Sequence, residues 1–462
     1  MKRRTDRARR KPAKAPGTTD QTPSFTTFPS PVFSLWQTAV HEVLSQRAAA
    51  AGTLGGDPAT ISSDEPIMLQ SVAAAQAIIS GQPAPDAAVL GGTVTDCAQL
   101  YLQLIVAEAT NNTQRFAELK HEIAFSNCDP LWAAVLVEYE KFRLQSGQIP
   151  YRTHQQLSDY VLPLPVQHPA EVRIALIADW GTGTEPARQL LADAGRRAPD
   201  VLIHLGDIYY SGTPQEMQER FLAVCRATPG LDIPIYTLSG NHDMYSGGAG
   251  YYWLIDQLNQ PASYFCLRND DWQLLAMDTG LHDNDPGTVI SNLTYLDERE
   301  AAWHRDKIAN AGGRRTILLS HHQLFSAAIA VGTSDGKPLA VNPHLYTAFA
   351  DLLGEVAIWL WGHEHNLVVF DEYAGLARGR CIGSAAIPTM LDQKPYAPNP
   401  NLVLPTGQTS PPQINEHARL ADNGQIYNHG YALLTLKGRT ATVQYYQVRD
   451  DGSGELLYEE TC

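Results

Sequence analysis

Residues 172–181 read VRIALIADWG, and four later stretches follow the same grammar: VLIHLGDIYY at 201–210, IYTLSGNHD at 235–243, TILLSHH at 316–322 and VAIWLWGHEH at 356–365. In each, a short aliphatic or aromatic run stops at a turn carrying Asp, Asn or His. Apolar runs of about four to eight residues bounded by turn signals are buried strands. The spacing therefore predicts strands over Val172–Ala178, Val201–Leu205, Ile235–Leu238, Gln273–Met277, Thr316–Leu319 and Val356–Trp361. Helical patterns over Glu185–Arg197 and Leu296–Ala309 lie between several of them, which makes the fold α/β. Toward the end, Tyr431–Lys437, Thr440–Gln447 and Glu455–Glu459 read as an antiparallel meander closing a second sheet.

In open α/β sheets the carboxyl ends of the strands share one edge, where ligands bind. Side chains almost two hundred residues apart can therefore converge: Asp179, Asp207, Asn241, a histidine from His321–His322, His363, His365, and a phenol from Tyr209 or Tyr210. Oxygen and imidazole donors without thiolates suit zinc, iron or manganese, and these outnumber the ligands of one tetrahedral ion. Two metal ions are implied, clamped about 3.5–4 Å apart around an in-line displacement, with a carboxylate as the natural bridge.

Asp179-x-Gly181, Gly206-Asp207-x-x-Tyr210, Gly240-Asn241-His242-Asp243, the strand ending at His321, and Gly362-His363-x-His365 resemble the five ordered blocks of the calcineurin-like metallophosphoesterases. Asp-Trp-Gly and Gly-Asp-x-x-Tyr make the chain most similar to the purple acid phosphatase branch. The likeness runs over about residues 172–450 and implies an αββα sandwich hydrolysing phosphate esters. By resemblance, Asp179, Tyr210 and His365 bind a first ion, typically ferric, and Asn241, His321 and His363 a second, divalent one (Zn, Mn or Fe). Asp207 bridges both. His242 binds no metal but sits beside the phosphate, stabilising its charge or protonating the leaving oxygen. His322 and Asp243 are expected to stand behind the ligands. Where this branch often carries proline after the first histidine, the chain has His322-Gln323, so either imidazole can face the metals; the block begins at His321. The lengthened turn Gly181-Thr182-Gly183 offers backbone N–H groups to a substrate.

The implied reaction is phosphomonoester hydrolysis of a small molecule, with phosphodiester cleavage in nucleotides or lipid head groups as the alternative. A binding scaffold would lack ligands, and none is missing. A dinucleotide-binding reading of Gly181-x-Gly183 fails because the third glycine is absent and Asp179 would oppose a pyrophosphate.

Around this zone the composition changes. Residues 1–14 hold eight Lys or Arg against one Asp, a net +7, which leaves −22 of the chain's −15 on the remainder. So acidic a body disfavours nucleic-acid binding. We read 1–30 as a disordered basic tail, 31–165 as a helical N-terminal domain and 166–462 as the catalytic domain. No signal-peptide core follows the tail, no membrane-length apolar stretch occurs, and the six cysteines lack regular spacing, all consistent with a cytoplasmic protein. The Pro-rich stretch from Ser384 to His429 is long for a connection and suggests a lid. Trp180 and His204 are expected to be packing residues. Oligomeric state is not legible.

Overall fold

The computed structural model describes residues 148–462 except 166–170, 210, 285–292, 335–336, 390, 392–393, 405–410 and 425, together with 112–115, 118–119 and 142. The tail and nearly all of the expected helical N-terminal domain lie outside the described residues.

In chain order the strands are β1 (Val161–Pro163), β2 (Val172–Ile177), β3 (Val201–His204), β4 (Ile235–Thr237), β5 (Phe265–Arg268), β6 (Trp272–Ala276), β7 (Arg315–Ser320), β8 (Gly332–Ser334), β9 (Lys337–Leu339), β10 (Val356–Trp361), β11 (Leu367–Val369), β12 (Gly379–Ile382), β13 (His429–Lys437), β14 (Thr440–Val448) and β15 (Gly454–Thr461). One sheet has the order β1-β5-β6-β7-β10-β12-β11 and a second β15-β14-β13-β2-β3-β4, with β8-β9 a small separate ribbon. Five strand ends carry candidate ligands, but they do not belong to one sheet: β2, β3 and β4 lie in the second, β7 and β10 in the first. The C-terminal meander extends the second sheet by pairing β13 antiparallel to β2, with Leu434 opposite Ile174. The boundary expected after residue 165 falls beyond β1, which pairs parallel with β5.

Alternation along the strands explains the layers. Ile174, Leu176, Ile203, Leu274, Ile317, Leu319, Ile358 and Leu360 share one buried cluster between the sheets. The opposite faces are covered by helices: Ala175, Ile177 and Leu202 pack with Leu190 and Leu191, while Leu275, Leu318, Trp359 and Trp361 pack with Trp303 and Phe349. Strands buried on both faces read as continuous apolar runs, which is why the sequence showed them.

The helices that matter here are α1 (Glu185–Arg196), α2 (Asn241–Met244), α3 (Ala249–Gln257), α4 (Glu298–Ala309) and α5 (Pro343–Phe349). Helix α1 buries Ala187, Leu190, Leu191 and Ala194, an i, i+3, i+4, i+7 stripe. Asp297 caps α4 by accepting from the Arg299 and Glu300 N–H groups, and Asn342 caps α5 through His344 and Leu345. Among the described residues no helix is long and apolar enough to cross a membrane, and Cys225, Cys266, Cys381 and Cys462 are free.

Candidate metal centre

Each donor is carried on the turn just past a strand, and the backbone there is unusual. Asp179, Asp207 and His363 have φ of 55°, 67° and 66°. A left-handed conformation costs a non-glycine residue about 1–2 kcal/mol, so three such residues at three strand ends mark a functional cluster. Glycines make the approach feasible. A Cβ on Gly240 would strike the Asp207 carboxylate, and one on Gly362 would lie 2.5 Å from Asp179 Oδ2.

The structure brings Asp179, Asp207, Asn241, His242, His321, His363 and His365 together. Candidate ligand atoms of Asp179, Asp207 and His321 lie within 4.8 Å of one another, as do those of His321, His322 and His363. His321 is central. Its Nδ1 lies 3.0 Å from the Leu205 carbonyl oxygen, which requires Nδ1 to carry the proton. Nε2 then faces Asn241 Oδ1 at 3.2 Å, His363 Nδ1 at 3.2 Å and Asp207 Oδ2 at 3.3 Å. Asn241 presents oxygen there because its Nδ2 donates to the Tyr245 hydroxyl at 2.6 Å. Two imidazole nitrogens, an amide oxygen and a carboxylate oxygen thus converge, a donor set that suits a cation.

Electrostatics say the same. Burial lowers the His321 pKa, but the Asp207 carboxylate outweighs it and holds the imidazole up at about 9. Burial would raise Asp207, yet His321 and His242 pull it well below the usual carboxylate range. Asp179, fully buried and close to Asp207, is pushed up to about 8 by burial, against the pull of His321. Burial, with His322 and His321 adding to it, holds His363 neutral, the form that binds metal.

The surroundings fix these groups. Asp243 accepts from the N–H groups of Gly240 at 2.7 Å, Asp207 at 2.9 Å and Ile208 at 3.0 Å, tying the second and third turns together. Asp207 Oδ1 accepts the His242 N–H at 3.0 Å, and Asp179 Oδ2 the His363 N–H at 2.9 Å. The two nitrogens of His322 face Thr279 Oγ1 at 3.0 Å and Asp283 Oδ2 at 3.1 Å, so this ring stands behind His363 with both nitrogens engaged. The part-exposed His242 ring sits between Tyr209 and Tyr245, centroids 4.6 and 4.9 Å away.

Tyr210 lies outside the described residues. The phenol that the described residues bring to the centre is that of Tyr209, whose hydroxyl is 3.0 Å from Asp179 Oδ1 and 3.1 Å from His365 Nε2. The supporting residues Tyr245, Thr279 and Asp283 carried no local sequence signal. Trp180 packs edge-on against Phe221 and donates to the Ala187 carbonyl at 2.7 Å. His204 pairs one nitrogen with Thr237 at 3.0 Å and leaves Nε2 without a partner. In the turn proposed to offer N–H groups, that of Thr182 is taken by the Trp180 carbonyl at 2.6 Å. In the long 384–429 segment the Thr389 hydroxyl donates to the His365 carbonyl, which places this segment beside the centre.

Residues 172–367 match the calcineurin-like phosphoesterase family. No curated protein sequence matches the chain. Among solved structures, it is similar to the Plasmodium inner-membrane-complex anchor GAP50 (14% identity, 63% of this chain and 88% of that one, TM-score 0.42). It is likewise similar to a purple acid phosphatase from yellow lupin (11%, 64% and 54%, TM-score 0.42) and a dimetal phosphatase from Danio rerio (13%, 64% and 99%, TM-score 0.43). The chain spans about half the length of the lupin protein. Likeness at this level does not extend to activity or substrate.

Proposed function

We propose that this chain, whose residues 172–367 match the calcineurin-like phosphoesterase family, hydrolyses phosphate monoesters of small molecules at a two-metal centre. The observation that carries the reading is the convergence on His321 Nε2 of Asn241 Oδ1, His363 Nδ1 and Asp207 Oδ2 within 3.3 Å, while His321 Nδ1 is committed to Leu205. Asp207, at the middle, would bridge two ions. Asn241, His321 and His363 would hold one, and Asp179 and His365 the other, with a tyrosine: the family spacing selects Tyr210, while the position of the Tyr209 hydroxyl favours Tyr209. Iron paired with Zn, Mn or Fe suits such donors.

Bound metals supply Lewis acidity to the phosphoryl oxygens and make water nucleophilic near neutral pH. The chain's own part is positional and protic. His242, oriented by its N–H bond to Asp207 and by the flanking Tyr209 and Tyr245 rings, presents its imidazole to the departing oxygen and gives it a proton. His322 and Asp283 hold the wall behind His363, and Asp243 keeps the Asp207 and Asn241 turns in register. No covalent phosphoenzyme is required. The test is hydrolysis of p-nitrophenyl phosphate against bis(p-nitrophenyl) phosphate by metal-loaded protein. Faster turnover of the monoester is expected; preference for the diester would move the assignment to phosphodiesterase.

A further inference from the structure

A second charged concavity lies at the other end of the strands that carry His321 and His363. It is a groove of about 550 Å³ at the starts of β7 and β10, lined by the α4–β7 loop with Gly312 and Gly313, and by Arg314, Arg315, Arg378 and Arg439. Since β7 has six residues, and a strand rises about 3.3 Å per residue, the groove is about 20 Å from the metal centre. It cannot share a ligand with that centre.

Its charge is anomalous for this molecule. The chain is acidic, with 49 Asp and Glu against 34 Lys and Arg, yet the groove gathers four guanidiniums and only one carboxylate, that of Glu355. Among the described residues, Arg314, Arg315 and Arg439 have no carboxylate partner. They are held by backbone carbonyls: Arg314 donates to Asn269 O at 2.5 Å, Arg315 to Arg439 O at 3.0 Å and Arg439 to Gly313 O at 2.6 Å. Arg315 also lies 4.8 Å over the Trp272 ring. Arg378 reaches Glu460 only at 3.8 Å, because both oxygens of that carboxylate are taken by Arg380 at 2.6 and 2.7 Å. Each guanidinium has five N–H donors, so these carbonyl bonds fix the side chains without neutralising their charge or exhausting their donors. Gly313 leaves the approach open, since a Cβ there would meet nothing within 4 Å.

We propose that this groove is a binding site for a compact anion bearing two or more phosphoryl groups. Preset guanidinium forks match phosphate oxygens bidentately, and four guanidiniums facing the Glu355 carboxylate, with Glu460 shared between Arg378 and Arg380, leave a net positive charge that suits a pyrophosphate-like anion better than a single phosphate. A volume of about 550 Å³ falls in the range of small-molecule sites, about 300–1,000 Å³. The inference does not depend on the hydrolase reading.

The test is calorimetric titration of pyrophosphate into the full, metal-free chain, with Arg378→Gln and Arg439→Gln variants alongside. The result expected is one saturable, salt-sensitive site, weakened about tenfold or more in each variant, with unchanged melting temperature and unchanged hydrolysis after metal loading. Arg378→Gln disturbs no backbone bond, so it stays informative if Arg439→Gln is unstable. Absence of saturable binding would overturn the proposal. So would equal binding by wild type and Arg378→Gln, which would place the anion elsewhere on the chain.

Discussion

His321 Nδ1 lies 3.0 Å from the carbonyl oxygen of Leu205, two residues before Asp207. The residue that begins the second ligand turn thus sets the tautomer of a ligand carried on the other sheet. Nε2 is left as the nitrogen aimed at Asp207 and Asn241. Tautomer, amide orientation and carboxylate position are set by separate contacts, and each can be removed singly.

Tyr245 is the handle on the amide. Its hydroxyl takes the Asn241 Nδ2 proton at 2.6 Å; without it the amide is free to rotate its oxygen away. Tyr245→Phe is expected to weaken binding of one of two ions by about 10–100-fold, the usual effect of losing a ligand's outer partner. Equilibrium metal titration checks this; unchanged affinities would show that the amide is oriented by something else.

His242→Ala should keep both metals and lose rate by about a hundredfold to ten-thousandfold. The loss is expected to shrink for an activated phenol, which leaves without a proton. An equal loss for good and poor leaving groups would reduce this histidine to an electrostatic role.

The phenol is decided by colour. Phenolate bound to ferric iron absorbs in the visible, whereas zinc, with a filled d shell, cannot. Since the Tyr209 hydroxyl is 3.0 Å from Asp179 Oδ1, iron-loaded protein should be coloured, and Tyr209→Phe should lose the band while Tyr210→Phe keeps it. The reverse pattern would restore the residue chosen by family spacing; a colourless wild type would remove iron-phenolate altogether.

Away from the metals, Glu300 on α4 is fully buried, where it accepts from the Tyr151 hydroxyl and the Asp278 N–H, both at 2.8 Å, and faces His304. Burial pushes its pKa up from 4.5 to about 8. The folded state therefore holds a proton that the unfolded state releases, and this contribution to stability is full below about pH 4.5 and lost as pH rises through about 8. Glu300→Gln should flatten the decline of melting temperature over that window. A parallel decline in wild type and variant would assign the pH dependence elsewhere, first to Asp278, whose pKa is raised to about 6.

Much of this was legible in the residues. Val356–Trp361 was readable to the residue because a strand buried on both faces is a continuous apolar run. By contrast, β12 was missed: Gly379-Arg380-Cys381-Ile382 places a charge mid-strand, and only the fold brings Glu460 to meet it at 2.6 Å. Strand alternation could not choose between Tyr209 and Tyr210, because the left-handed turn at Asp207, φ 67°, breaks the period just before them. The sheet assignment also escaped. Nothing local tells Thr316–Leu319 that it belongs to a different sheet from Val201–Leu205, although the ligands after both meet.

The central claim is that Asp207 bridges two metals whose joint action hydrolyses a phosphate ester. The most direct measurement is metal content and phosphomonoesterase turnover of wild type and Asp207→Asn, prepared side by side. The account predicts two ions per chain with metal-dependent hydrolysis in the wild type, and loss of at least one ion with most of the turnover in the variant, since a neutral amide offsets the repulsion of two cations poorly. Two ions retained with near-normal turnover in Asp207→Asn would contradict it.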